Sequence, residues 1–214
     1  MAGLLTAACS RQPSERSRQT KPAQPSVAPD VFRVQFTTTK GEFVVEVHKA
    51  WAPRGAQHFY DLVSLGFYDG VKFFRVVRNF VVQFGIHGDP QVQRLWGSTT
   101  IPDDPVCVSN RRGFVSFAQR GPNTRATQVF INLRDNPRLD EQGFAPFGQV
   151  VQGMEVVDRL WSGYGEMAPL GNGPDPVRIE LEGNRYLDRY FPRLDGVIRA
   201  RVLAGTSSSP SPSG

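Results

Sequence analysis

One stretch decides the fold, residues 73–85, with the sequence Phe73-Phe74-Arg75-Val76-Val77-Arg78-Asn79-Phe80-Val81-Val82-Gln83-Phe84-Gly85. Two runs rich in valine and phenylalanine flank the pair Arg78-Asn79, and Arg75 and Gln83 interrupt those runs. β-branched and aromatic residues favour strands and asparagine tolerates tight-turn dihedrals, so the stretch predicts a hairpin. Arg75 is unusual, because a guanidinium held over an apolar face needs a partner or a chemical role.

Two further motifs follow the hairpin in order. The second is Phe117-Ala118-Gln119-Arg120-Gly121-Pro122-Asn123-Thr124-Arg125-Ala126-Thr127-Gln128-Val129-Phe130-Ile131, and the third extends from Leu139-Asp140 to Phe144-Ala145-Pro146-Phe147-Gly148. With Phe-x-Arg-x-x-x-x-Phe-x-x-Gln-x-Gly in the hairpin, the chain resembles the cyclophilins, the peptidyl-prolyl cis/trans isomerases. Three ordered matches make this a specific signal, which a single Arg-Phe-Gln coincidence would not be.

The resemblance implies an enzyme that isomerises X-Pro peptide bonds without a cofactor or a metal ion. Carried over residue by residue, it implies a catalytic set of Arg75, Phe80 and Gln83. In this set Arg75 is the catalytic arginine, Phe80 is part of the proline pocket, and Gln83 binds the substrate and supports the arginine. The implied substrate-binding residues are Val81, Ala118, Gln119, Gln128, Phe130, Leu139 and Phe144.

Five positions depart from the pattern of the family. They are Val81 where Met is frequent, Gln119 for an Asn, Arg120 for a small residue, Arg138 for a Trp, and Phe144 where many members have His, after a one-residue insertion. A ring at position 144 still packs against proline, so we expect activity to survive. Arg138 lacks the indole associated with strong cyclosporin binding, so we expect cyclosporin to bind weakly.

Other catalytic chemistries find little support in the sequence. The histidines His48, His58 and His87 lack metal-ligand spacing, and neither a Gly-x-Ser-x-Gly elbow nor a P-loop is present. Two alternatives stay open: a non-catalytic cyclophilin-like module that binds proline-containing segments as a chaperone or scaffold, and an unrelated barrel with a small ligand. Retention of both Arg75 and Gln83 argues against the first, and the second requires three coincidental motifs.

The basic charge of the chain is concentrated at its ends. The formal net charge is +5, yet residues 1–29 carry four basic and one acidic side chain, and residues 185–214 carry five basic and two acidic. Residues 30–184 therefore have a net charge of −1, which argues against a nucleic-acid-binding surface on the folded body. The expected partners are proline-containing polypeptide clients, with no nucleic acid, and we expect a monomer.

Residues 1–10, Met1-Ala2-Gly3-Leu4-Leu5-Thr6-Ala7-Ala8-Cys9-Ser10, resemble the last part of a bacterial lipoprotein signal. The basic region of such a signal is missing, and Thr6 stands where a Leu-like residue is usual. A start codon assigned too late would explain the missing half of the signal. We expect lipidation of Cys9 in a bacterial protein that is exported, either periplasmic or membrane-anchored. The alternative is a cytoplasmic protein with an incidental cysteine. With Cys107 as the second cysteine, no disulfide framework is indicated.

The remaining pattern predicts a mainly β fold. Strands are expected at 31–36, 43–48, within the hairpin 72–85, and at 113–119, 128–133, 147–151 and 177–181, with a long ordered loop over 86–112. Helices are expected after Pro53 and at 154–161. These elements predict a closed eight-stranded antiparallel barrel capped by two α-helices, which the resemblance also implies.

The chain divides into four expected segments. Residues 1–29 form a truncated signal and a flexible tether, and residues 30–187 form the isomerase domain. Residues 188–203 form a C-terminal extension that packs on the domain, and residues 204–214 form a disordered tail rich in serine, proline and glycine. No apolar run in the sequence reaches the ~18–20 residues of a membrane-spanning helix.

Overall fold

A computed structural model describes residues 27–204, which form eight strands and six helices. The strands are β1 (Val31–Thr38), β2 (Gly41–His48), β3 (Arg75–Val77), β4 (Val81–Phe84), β5 (Phe114–Phe117), β6 (Val129–Asn132), β7 (Pro146–Gln152) and β8 (Val197–Val202). The helices are α1 (Pro53–Ser64), α2 (Pro90–Gly97), α3 (Arg138–Glu141), α4 (Met154–Asp158), α5 (Pro176–Glu182) and α6 (Asn184–Tyr190). Within this range no helix is both long and apolar enough to cross a membrane. The predicted lipidation site at Cys9 lies outside the described residues.

The strands form one antiparallel sheet in the order β3-β4-β6-β5-β7-β2-β1-β8. The predicted mainly β, eight-stranded fold is confirmed, but the prediction of a closed barrel is wrong. The sheet curls into an open half-barrel whose edges, β3 and β8, are not paired as strands. Because β3 has three residues, the seam is reduced to an isolated bridge between Lys72 and Gly196 and backbone hydrogen bonds beside it, such as Val197 N to Val71 O at 2.8 Å.

The core lies on the concave side of the sheet, where aromatic rings dominate. Phe36 is fully buried and stacks on Phe43 with centroids 4.8 Å apart, and it meets the edge of Phe84 at 5.8 Å. Helix α1 closes one side of this core with its buried residues Ala56, Phe59, Leu62 and Val63. The spacing of Ala56, Phe59, Tyr60 and Val63 predicts that helix, and the structure confirms it from Pro53 onward.

Alternation along β4 separates the core from a second apolar cluster. Val82 and Phe84 belong to the main core, whereas Val81 packs with Phe130 in a separate cluster on the other face. Gln83 shares the face of Val81, because successive side chains of a strand point to opposite sides. Strand β4 is therefore buried on both faces, and one of those faces lines the candidate site.

The predicted hairpin is confirmed, with Arg75 of β3 directly opposite Gln83 of β4. Asn79 has a φ of 56° in the turn, which is the left-handed conformation expected for it. Gly85 ends the hairpin with a φ of 106°, and a Cβ there would collide with the carbonyl oxygen of Thr127. A glycine is required where the hairpin approaches that loop so closely.

Two local predictions are wrong. The segment predicted as a closing strand, Val177 to Leu181, is helix α5, because Asp175 caps it through a hydrogen bond from Val177 N and Pro176 occupies its first turn. Strand alternation would bury Val177, Ile179 and Leu181 together, yet Ile179 alone of the three is buried. The segment 86–112, predicted as a loop, contains α2, which Asp89 caps in the same way.

The C-terminal segment is continuous with the sheet. The expected domain boundary at residue 187 falls inside α6, and the expected extension 188–203 supplies β8, which pairs with β1. Helices α5 and α6 bury a second small core against the body, made by Phe74, Ile86, Ile179, Tyr186, Leu187 and Leu194. This arrangement places α5 and the loop before it beside the β3–β4 hairpin.

Candidate active site

All ten side chains predicted for catalysis and substrate binding line one cavity of about 580 Å³. They come from the β3–β4 hairpin, from β6 and the segment before it, and from α3 and the residues after it. They are Arg75, Phe80, Val81, Gln83, Ala118, Gln119, Gln128, Phe130, Leu139 and Phe144. The structure thus brings together residues separated by up to 69 positions, while their individual roles stay predictions.

The base of the cavity is apolar. Val81, Phe130 and Leu139 are buried there, and Phe80, Ala118 and Phe144 pack against them. The rings of Phe130 and Phe144 meet edge to face, with centroids 5.5 Å apart and planes at 78°. A concave apolar surface with three aromatic rings suits a compact aliphatic ring such as that of proline.

A short chain of polar groups lies along one side of this apolar base. Arg75 Nη1 donates a hydrogen bond to Gln83 Oε1 at 2.8 Å, and Gln83 Nε2 donates to Gln128 Oε1 at 2.9 Å. The guanidinium carbon of Arg75 also lies 5.4 Å from the centroid of the Phe80 ring, within the range of a cation–π contact. Because Gln83 is buried and bonded at both ends, its amide orientation is fixed.

Glu166 is a partner of Arg75 that the sequence reasoning missed. Arg75 Nη2 donates to Glu166 Oε2 at 2.7 Å, and Arg75 Nε lies 2.7 Å from Glu166 Oε1. Glu166 belongs to the Gly/Pro-rich loop between α4 and α5, which matches none of the three motifs. The one available signal was that an arginine in an apolar hairpin needs a partner.

The loop and helix that follow Glu166 add a further side to the cavity. Met167, Pro176 and Glu180 line it together with Arg120 from the opposite side. Arg120 Nη2 lies 3.5 Å from Glu180 Oε1, so an ion pair joins the two sides. Arg120 is largely exposed, and such surface pairs contribute only ~0–1 kcal/mol. The pair therefore holds the two sides of the cavity together only weakly.

A buried polar network holds Leu139 and Phe144 in place. Asp140 Oδ1 accepts hydrogen bonds from Asn110 N at 2.8 Å and from Asn110 Nδ2 at 2.7 Å, and Asp140 Oδ2 accepts one from Ser109. Asn110 Nδ2 also donates to the carbonyl oxygen of Phe144 at 2.8 Å. Burial acts to raise the pKa of Asp140, but the hydrogen bonds from Ser109 and Asn110 outweigh it and lower that pKa.

A buried ion pair fixes the opposite side of the cavity. Arg125 is almost fully buried, and its Nη1 lies 3.1 Å from Asp104 Oδ2. Asp104 also accepts from the backbone N–H of Gly55 at 2.8 Å, at the start of α1. His58 Nε2 lies 2.6 Å from the carbonyl oxygen of Ala126, and burial lowers the pKa of His58. Helix α1 and the segment before β6 are thereby joined behind the cavity.

Comparison with known proteins identifies, from the sequence, the family that the three motifs resemble. Residues 33–180 match the model of the cyclophilin type peptidyl-prolyl cis-trans isomerase family. A peptidyl-prolyl cis-trans isomerase of Schizosaccharomyces pombe is 37% identical over 133 residues, which cover 59% of this chain and 83% of the relative. One from Arabidopsis thaliana is 36% identical over 148 residues, covering 65% and 85%. Peptidyl-prolyl cis-trans isomerase A of Dickeya dadantii is 36% identical over 132 residues, covering 59% and 70%.

Solved structures show the same fold. A cyclophilin type peptidyl-prolyl cis-trans isomerase of Cryptosporidium parvum superposes with a TM-score of 0.61 at 20% identity, covering 82% of this chain and 99% of that chain. Its structure in the presence of the dipeptide Ala-Pro superposes with a TM-score of 0.59, covering 81% and 99%. At this level of identity the likeness establishes the fold of the chain.

Proposed function

This chain belongs to the cyclophilin-type peptidyl-prolyl cis/trans isomerase family and is an isomerase of X-Pro peptide bonds, and we propose that Arg75 carries the reaction. One observation carries the proposal: a guanidinium stands at the side of an apolar cavity lined by Phe80 and Phe130. A guanidinium has five N–H groups. Gln83 and Glu166 engage only some of those of Arg75, so each terminal nitrogen keeps an N–H group that can reach a substrate.

Isomerisation requires stabilisation of a twisted amide. The barrier of ~18–20 kcal/mol comes from amide resonance, and the uncatalysed exchange takes tens to hundreds of seconds. As the bond twists, the proline nitrogen gains a lone pair that the planar amide lacks. An N–H of Arg75 directed at that nitrogen binds the twisted state more tightly than the planar states, which is the condition for catalysis.

Arg75 cannot supply the whole acceleration. An acceleration of about 10⁵-fold corresponds to about 7 kcal/mol, at 1.36 kcal/mol for each factor of ten. A charge-assisted hydrogen bond contributes about 1.5–3 kcal/mol. The remainder must come from binding that holds the proline ring and the flanking peptide in place while the bond twists.

In this proposal, the apolar base of the cavity and the polar side chains along it provide that binding. The ring of proline packs among Phe80, Val81, Phe130, Leu139 and Phe144, the residues of the apolar base. The peptide on either side of it lies along the segments that contain Ala118, Gln119 and Gln128. The structure of the Cryptosporidium parvum relative in the presence of Ala-Pro supports a proline-containing substrate.

The test replaces Arg75 by alanine and measures turnover of a proline peptide. We expect Arg75→Ala to lose most activity, about 10- to 100-fold for one charge-assisted hydrogen bond, with an unchanged circular dichroism spectrum. Arg111→Ala is the matched control, because Arg111 is exposed and does not line the cavity. Unchanged turnover in Arg75→Ala would refute the role of Arg75. An inactive wild type would instead favour the non-catalytic module that binds proline-containing segments.

The finer proposal places the chain in the bacterial branch of the family as an exported lipoprotein tethered through Cys9. The small apolar residues before Cys9 support the lipid tether, and the relative in Dickeya dadantii supports the bacterial branch alone. Mass spectrometry of the protein isolated from its native cells is expected to find diacylglyceryl-Cys9 at the mature N-terminus. A mature chain that retains residues 1–8 and an unmodified Cys9 would contradict the lipoprotein proposal.

A further inference from the structure

The acceptors around Arg75 hold it from two directions. Gln83 binds Nη1 at 2.8 Å from within the hairpin, and Glu166 binds the other edge of the guanidinium from the loop before α5. We propose that Glu166 is a positioning residue for the isomerisation, which fixes the plane of the Arg75 guanidinium against the substrate nitrogen. The inference rests on the catalytic role proposed for Arg75.

The geometry of the pair restricts rotation of the guanidinium. One carboxylate oxygen accepts from Nη2 at 2.7 Å, and the other lies 2.7 Å from Nε, although Nε is not aligned for a hydrogen bond. The side chains of Arg75 and Glu166 are 16% and 27% exposed, so solvent screens the pair only partly. With Nη1 held by Gln83, any turn of the guanidinium plane breaks a charged contact.

Glu166 is itself fixed by its loop. Its Oε1 accepts from the backbone N–H of Met167 at 2.9 Å, and its backbone carbonyl accepts from Gly173 N at 2.8 Å. A Cβ at Gly171 would collide with that same carbonyl, so the loop is built closely around this residue. Tyr164 and Met167 pack against the second core, which ties the loop to α5 and α6.

The loop is also joined to the catalytic hairpin on its other side. Arg78 Nε donates to Ser162 Oγ at 2.7 Å, which connects the β3–β4 turn with the start of the loop. Glu166 is therefore held in place by its own loop, and its carboxylate fixes the position of the Arg75 side chain. Fixed geometry matters here, because a displacement of about 1 Å of a reacting group can cost 10²-fold in rate.

The test compares Glu166→Ala and Glu166→Gln in the wild-type and Arg75→Ala backgrounds, using kcat and KM for a proline peptide. We expect Glu166→Ala to lower kcat by about tenfold or more with a smaller change in KM, because the misplaced donor acts mainly in the transition state. Glu166→Gln keeps an acceptor and is expected to lose less. In the Arg75→Ala background, neither substitution should lower the residual kcat/KM further, because the residue acts through Arg75.

The matched control is Glu182→Gln, which removes a carboxylate paired with Arg178 on the surface of α5 and should leave kcat unchanged. Nitrogen relaxation of the Arg75 Nε gives a second readout, in which Glu166→Gln increases side-chain mobility. Wild-type kcat and wild-type Arg75 mobility in both variants would overturn the inference. So would an equal fold loss in both backgrounds, which indicates a structural role. Failure of the catalytic role proposed for Arg75 is distinguishable, since Arg75→Ala alone would then keep wild-type turnover.

Discussion

Arg75 and Arg120 stand beside the same cavity and are held very differently. The side chain of Arg75 is 16% exposed with acceptors within 2.8 Å, whereas that of Arg120 is 71% exposed and lies 3.5 Å from Glu180. An exposed pair contributes ~0–1 kcal/mol, so Arg120 can leave Glu180 when a client binds. This contrast agrees with the catalytic role proposed for Arg75, and we expect Arg120 to influence which clients are preferred.

A second residue, Arg138, predicts how strongly cyclosporin inhibits the protein. It is exposed at the start of α3, beside the buried Leu139 of the cavity, and stands where the family resemblance places a tryptophan. We expect weak inhibition of the wild type by cyclosporin, since an arginine offers neither the flat apolar area nor the N–H of an indole. Arg138→Trp should tighten inhibition while Arg111→Trp, at an exposed site that does not line the cavity, should not. Nanomolar inhibition of the wild type would contradict this.

At the level of elements, helix α1 depends on a carboxylate from a distant segment. Asp104 is buried, accepts from the backbone N–H groups of Arg54 and Gly55, and pairs with Arg125. Asp104→Ala leaves the buried Arg125 without this partner and removes the cap, so we expect the free energy of unfolding to fall by about 3–5 kcal/mol. Urea denaturation measures the change.

Asp158→Ala is the control for that prediction. Asp158 pairs with Arg112 at 2.7 Å, but both side chains are more than 40% exposed. The loss should be only ~0–1 kcal/mol, because solvent screens an exposed pair. Equal losses in the two variants would show that burial does not determine the contribution of Asp104.

Helix α3 gives a prediction about pH. The folded state holds the pKa of Asp140 below its ordinary value of 3.8, so the ionised carboxylate stabilises the fold above the unfolded pKa. That stabilisation is lost as the pH falls through the lowered folded pKa. We expect the difference in unfolding free energy between the wild type and Asp140→Asn to be constant near neutral pH and to shrink below about pH 4. A difference independent of pH would argue against a lowered pKa.

At the scale of the whole molecule, the C-terminal segment completes the sheet. Val197 and Ala200 of β8 are buried in the main core, and β8 covers the edge of β1. A chain that ends at Leu187 exposes that edge and loses Leu194 from the second core, so we expect aggregation and no cooperative thermal transition. A chain that ends at Ala204 should keep the wild-type transition. Circular dichroism distinguishes the outcomes, and cooperative unfolding of the shorter chain would contradict the prediction.

Much of the fold was predictable where local signals agree. Asn79 in its turn, the apolar spacing of α1 and the valine- and phenylalanine-rich run of β4 each act over a few residues, and the structure confirms these three elements. Prediction failed at Val177–Leu181, where alternation suggested a strand but the cap of Asp175 and Pro176 starts a helix. The prediction of a closed barrel also failed, because pairing between the edge strands β3 and β8 joins distant segments of the chain and is not a local property.

The sequence by itself determined the family, seven of the eight strands and ten of the residues around the cavity. The strands follow from local patterns of β-branched and aromatic residues, and the cavity residues follow from the motifs that match the family. Only the tertiary structure decided the charged partner of Arg75. Glu166 lies 91 residues further along the chain, in a loop without periodicity, and reaches Arg75 because α5 and α6 pack their apolar residues on the body. The partner of a buried charge is chosen by packing in three dimensions, so no local pattern in the sequence could identify it.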